Sequence, residues 1–191
     1  MFQSCCDCPE SFILFDFTTM SVSNIDNSGT WAVPTDSDTM YSEAVAFRVQ
    51  VSDSSGYIYA SALQPSAMGF NSCQACKCTD LFKCRQQIVN ISIITLYDIA
   101  SDIPANTDIT QYFYFGLQNY SSPGGLYVSW NEFSDSMTGK IYDRMMESFS
   151  LYLTKNIGND SARFIISAEL SDGRTISDTT ALIHIINQSG E

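Results

Sequence analysis

The stretch Phe164-Ile-Ile-Ser-Ala-Glu-Leu170, followed by Ser171-Asp-Gly-Arg174, decides the fold class. Its apolar residues Phe164, Ile166, Ala168 and Leu170 fall at every second position. Successive side chains of an extended strand point to opposite faces, so these four form one apolar face. Asp-Gly suits a tight hairpin because the turn needs positive φ, which Gly adopts freely and Asp tolerates. The reading is a strand, a turn at 171–174, and a return from Thr175 through Ala181–Ile186.

The same period recurs upstream. Val45, Phe47, Val49 and Val51 alternate with Ala46, Arg48 and Gln50, and Tyr57-Ile-Tyr-Ala-Ser61 follows the turn Ser54-Ser-Gly56, which predicts a hairpin over 44–62. Val89, Ile91 and Ile93 mark another strand. Leu126, Val128 and Trp130 mark one after Ser122-Pro-Gly-Gly125, and Phe149, Leu151 and Leu153 one more. Helical signals are sparse. Thr107–Phe113 predicts a short helix behind a cap at Asn106 or Thr107, and Met137, Ile141 and Met145 stand four apart around Gly139. Short strands separated by turn chemistry predict an all-β sandwich of mostly antiparallel strands with one or two short helices.

The chain has 191 residues, 45% of them hydrophobic, which suits a single domain with a real core. A membrane-spanning helix needs about 20 consecutive apolar residues, and none is present. The formal charge of −12 repels nucleic acid, so no nucleic-acid partner is expected. That charge is uneven. Residues 1–47 carry Asp7, Glu10, Asp16, Asp26, Asp36, Asp38 and Glu43 before the first cation, Arg48. The acidic, Ser/Thr-rich run Ser21–Ser42 reads as a solvated leader. Residues 1–10 are expected to be the end of a truncated lipoprotein signal and anchor region. Residues 11–42 are expected to be a partly ordered leader with a first strand near 12–18, and 43–191 the sandwich domain.

The opening Phe2-Gln-Ser-Cys5 resembles the end of a bacterial lipobox, with a small residue before a lipidated cysteine. Cys5 is the expected lipid acceptor. Removing it from the seven cysteines leaves Cys6, Cys8, Cys73, Cys76, Cys78 and Cys84. An even set suits disulfides in an oxidising compartment. The alternative is a metal site at Cys73, Cys76, Cys78 and Cys84, because zinc takes four thiolate or imidazole ligands. Free or redox-active thiols are the third reading. Lys77, Lys83 and Arg85 crowd the same stretch, and positive neighbours lower a thiol pKa.

Catalytic chemistry is thin. His184 is the single histidine and lies in the run Leu182–Ile186, where an exposed strand position is its plain reading. No phosphate loop or G-x-S-x-G elbow occurs, and no cofactor is implied. Asp98, Asp102 and Asp108 cluster in sequence, and loop acids of this kind could hold calcium or supply the carboxylate pair of a glycosidase. Tyr112, Phe113, Tyr114, Phe115, Tyr120, Tyr127 and Trp130 form an aromatic-rich region that could stack on sugars or peptides. Asp98, Asp102, Asp108, Tyr112 and Trp130 are therefore the candidate ligand-binding residues.

Three stretches together resemble an uncharacterised family of small Bacteroidetes secreted lipoproteins that carry a domain of unknown function. They are Cys5-Cys-Asp-Cys8; then Tyr59-Ala-Ser-Ala62, Ile91-Ser-Ile-Ile94 and Ala105-Asn-Thr-Asp-Ile-Thr110; then the Phe164, Asp172-Gly-Arg174, Thr180 and Ile185 ending. The Cys73–Cys84 cluster is richer in cysteine than that pattern. The resemblance implies an immunoglobulin-like sandwich on the outer membrane, periplasmic or surface-exposed, and no assigned activity. The expectation is a non-enzymatic lipoprotein held to the membrane by its lipid, serving an interaction or structural role toward an envelope protein or glycan. A carbohydrate- or calcium-binding surface module and a thiolate metal-binding protein are the alternatives.

Overall fold

The computed structural model describes residues 12–30, 32–53, 81–117, 126–144 and 146–186. In chain order the strands are β1 Phe12–Phe15, β2 Thr19–Asp26, β3 Val33–Pro34, β4 Thr39–Tyr41, β5 Val45–Ser52, β6 Leu81–Cys84, β7 Ile88–Thr95, β8 Phe113–Leu117 and β9 Leu126–Val128. Helix α1, Trp130–Met137, follows, then β10 Met146–Leu153, β11 Ser161–Ala162, β12 Phe164–Leu170, β13 Thr175–Thr179 and β14 Ile183–Ile186. The chain is an all-β sandwich. A six-stranded sheet, ordered β3-β2-β5-β10-β8-β9, packs against a three-stranded sheet, ordered β13-β12-β7.

Alternation builds the interior. Val45, Phe47, Val49 and Val51 on β5, Phe149, Leu151 and Leu153 on β10, and Phe164, Ile166, Ala168 and Leu170 on β12 are all buried. Phe164 joins the two layers. Its ring meets Phe47 at 5.6 Å and Phe113 at 6.1 Å, both edge-on. Edge-to-face packing is favoured because a ring's positive rim meets the other's negative face.

The β12–β13 hairpin forms as its sequence predicts. Gly173 takes φ +84°, and the Leu170 and Gly173 amides close the turn onto Arg174 and Leu170 carbonyls. The return strand is shorter than expected, however. β13 stops at Thr179, and the buried Thr180 donates its amide to the Phe164 carbonyl while its hydroxyl accepts from the Phe164 amide. Residues 183–186 then join a separate three-stranded sheet between β11 and β4, with β4 parallel. His184 is exposed there. Val89 does not point inward either. A bulge opposite Glu169 and Leu170 shifts the register, so Ile88 and Ile91 are buried and Val89 is 47% exposed.

The sandwich also begins before residue 43. β2 lies within the segment expected to be leader, and it pairs antiparallel with β5 from Thr19↔Ser52 to Asp26↔Val45. Its alternation is carried by Met20, Val22 and Asn24, with serines between them, so a hydropathy reading passes over it. Asn24 can be buried because its amide donates to the Ser37 carbonyl at 2.8 Å. β1 pairs in parallel with β6, from Phe12↔Leu81 to Phe15↔Cys84. Of the expected 44–62 hairpin, residues 54–62 fall outside the described segments. Among the described residues no helix is long and apolar enough to cross a membrane.

Candidate functional site

The site starts at a helix cap. Ser129 Oγ accepts from the Glu132 amide, and Glu132 Oε2 accepts from the Ser129 amide at 2.9 Å, a reciprocal capping box. This closes two backbone donors that a helix start leaves open. The cap ends β9 at Val128 and turns Trp130, expected as a strand residue, into the first residue of α1. Helix formation stops at Met137, before Gly139 at φ +73°, so the segment expected through Met137, Ile141 and Met145 is not helical over 138–144, Ile141 is exposed, and Met145 lies outside the described residues.

α1 plugs the side of the sandwich. Phe133 and Met137 face inward, and Phe133 stacks at 4.6 Å on Phe115 and 5.1 Å on Phe149. The Trp130 indole rests 5.3 Å from Phe115 and 6.0 Å from Phe133, which fixes its ring while leaving it partly exposed. It borders a cleft of about 440 Å³ between the start of α1, β7 and the segment 108–111.

Asp108 stands on the opposite wall. Its backbone bridges Ile94 of β7, and its Oδ1 accepts from the Thr110 amide at 2.9 Å and the Thr110 hydroxyl at 2.7 Å. That turn begins the single 3₁₀ turn Thr110–Tyr112, which replaces the helix expected over 107–113. Thr110 Oγ1 also accepts from the Ile93 amide, tying the wall to β7. The amides of Asn90, Gln111 and Asn131 complete the lining. Sequence reasoning missed these three, because no spacing rule marks them; the β7 bulge and the α1 cap assemble them.

Two other candidate acids are elsewhere engaged. Asp98 Oδ1 accepts from the Ala105 amide at 2.7 Å, which closes a surface turn. Asp102 pairs with Lys155, and that hydrogen bond holds its carboxyl below the usual range and raises the Lys155 pKa. The Lys155 ammonium lies 5.2 Å over the Tyr112 ring, so Tyr112 belongs to this surface cluster rather than to the cleft. The three acids thus do not converge. Among the described residues no three His, Cys, Asp or Glu side chains stand together to hold a metal.

The aromatic run is sorted by strand alternation. Phe113 and Phe115 enter the core, while Tyr114 and Tyr127 face outward. Tyr152 lies over Gly116, where a Cβ would meet the Tyr152 ring at 2.8 Å, and packs edge-on against Tyr127 at 4.6 Å.

Cys84 is a buried free thiol beside Gln86, 3.7 Å from its Oε1. It is in neither a disulfide nor a thiolate state favoured by cations. Burial dominates and pushes its pKa up, and the neighbouring Arg85 charge is taken by Asp16. Cys5, Cys6, Cys8, Cys73, Cys76 and Cys78 lie outside the described residues. Comparison of the chain with family models, curated proteins and solved structures returned no match.

Proposed function

We propose that this protein is a non-enzymatic lipoprotein of the cell envelope whose sandwich binds a carbohydrate in the α1–β7 cleft. The observation that carries the binding reading is that Trp130 and Asp108 line the same cleft, together with the amide residues Asn90, Gln111 and Asn131. Sugar rings have apolar C–H faces, which suit a fixed indole, and hydroxyl rims, which suit amides and carboxylates acting at once as donors and acceptors. A binding role is favoured over hydrolysis because the two-carboxylate route needs a second acid about 5–10 Å from the first, and among the described residues Asp108 is the single acid of the lining. The envelope assignment is supported by the Phe2-Gln-Ser-Cys5 start.

Calorimetric titration with neutral gluco-, manno- and N-acetylglucosamine oligosaccharides tests the binding. At least one should bind the wild-type chain, and Trp130→Ala should weaken it tenfold or more, about the worth of one stacked ring. Trp130→Phe, which preserves packing on Phe115 and Phe133, should fall between. Absence of heat with every sugar sinks the reading. For the anchor, metabolic labelling with a clickable palmitate in a lipoprotein-processing bacterium, with the chain placed behind the basic and apolar parts of a lipoprotein signal, should tag it, and Cys5→Ala should abolish the tag. Equal labelling of both would refute lipidation at Cys5.

A further inference from the structure

We infer that the cleft selects a sugar bearing a protonated amine, a glucosamine-type unit, over neutral and acidic sugars. The inference rests on the carbohydrate reading and adds the charge of the ligand.

The argument comes from which polar atoms are already committed. Ser129 Oγ is held by Glu132, and Thr110 Oγ1 is held between the Ile93 amide and Asp108. Asp108 gives Oδ1 to both Thr110 donors, which fixes the carboxylate in its turn and leaves Oδ2 with no internal partner among the described residues. Among the described residues no Lys, Arg or His lines the cleft, and the one formal charge they bring to it is negative. An ammonium placed beside Asp108 gains a charge-assisted hydrogen bond, and near the indole face it gains cation–π attraction as well. The Asn90, Gln111 and Asn131 amides remain for ring hydroxyls. A uronate or phosphorylated sugar would bring like charge onto Asp108 in a chain already at −12.

Calorimetry of the full chain with a glucosamine trimer, its N-acetylated counterpart, a neutral glucose trimer and a uronate trimer tests the selection, at mildly acidic pH where the amine is protonated. The glucosamine trimer should bind about tenfold tighter than its acetylated form, the weight of one charge-assisted contact, and the uronate weakest. Asp108→Asn keeps an Oδ1 acceptor for Thr110, so the turn survives, and should erase the difference between the cationic and the neutral trimers. Asp36→Asn, an exposed acid outside the cleft, should leave the difference intact. Equal affinities for cationic and neutral trimers overturn the selection and leave the carbohydrate reading standing. Binding of none overturns both. An equal loss in Asp36→Asn traces the preference to bulk charge and overturns the assignment to Asp108.

Discussion

Tyr142 is 2% exposed, its ring edge-on to Phe17 at 5.1 Å and its hydroxyl donating to Met137 Sδ at 3.6 Å. Its carbonyl accepts from the Cys84 amide, so it ties the β6 region to the segment after α1. Burial first, and the nearby Glu147 charge second, raise its pKa far above the ordinary value of 10. The sign of the consequence follows. In the unfolded chain the phenol releases its proton near pH 10, whereas in the folded chain it does not. The stability of the neutral buried phenol is therefore full below that pH and is lost as pH rises above it. Urea midpoints measured from about pH 8 to 11 should fall with pH, and Tyr142→Phe should flatten that fall. Parallel curves for the two proteins would show that this residue does not set the alkaline limit.

Strands whose inward positions are apolar and outward positions polar announce themselves, and β5, β10 and β12 are legible for that reason. Two elements were hidden by different physics. The alternation Leu126, Val128, Trp130 carries the eye past the end of β9, yet Ser129-Trp-Asn-Glu132 is a capping box whose reciprocal bonds begin a helix in the middle of that pattern. The signal was present and outranks a single alternating position. β2 is the opposite case. Its inward asparagine is paid for by one hydrogen bond to Ser37, a tertiary fact that no local pattern contains. The cleft divides in the same way. Asp108 and Trp130 are conspicuous residue types, whereas Asn90, Gln111 and Asn131 become lining only after the bulge in β7 and the cap of α1 exist. Asp98 and Asp102 looked like partners of Asp108 because they are close in sequence, but turn closure and Lys155 engage them separately.

The two sheets have to be closed along their sides as well as packed face to face. On one side α1 fills the gap. On the other, β2 and β13 run beside each other without forming a ladder: β3 covers β2 only at Ile25 and Asp26, which leaves the Val22 amide on an open edge. Asp178 of β13 supplies the missing acceptor. Its Oδ2 takes the Val22 amide at 2.8 Å, and its Oδ1 takes the Thr179 amide at 2.8 Å. A carboxylate here satisfies the edge and also discourages another strand from adding to it, since an inward charge on an edge opposes further pairing. Asp178→Ala should leave a part-buried amide unsatisfied and lower stability by about 1–3 kcal/mol, seen as a lower urea midpoint at unchanged slope. Asp178→Asn retains one acceptor and should lose less. Hydrogen exchange at the Val22 amide separates this bond from any general loosening of the sheet. It should quicken selectively in Asp178→Ala, while amides of the β5–β10 ladder slow or quicken only with global stability. Unchanged protection at Val22 would mean that the sandwich is held shut by core packing around Phe164 alone, and that the carboxylate contributes nothing to the closure.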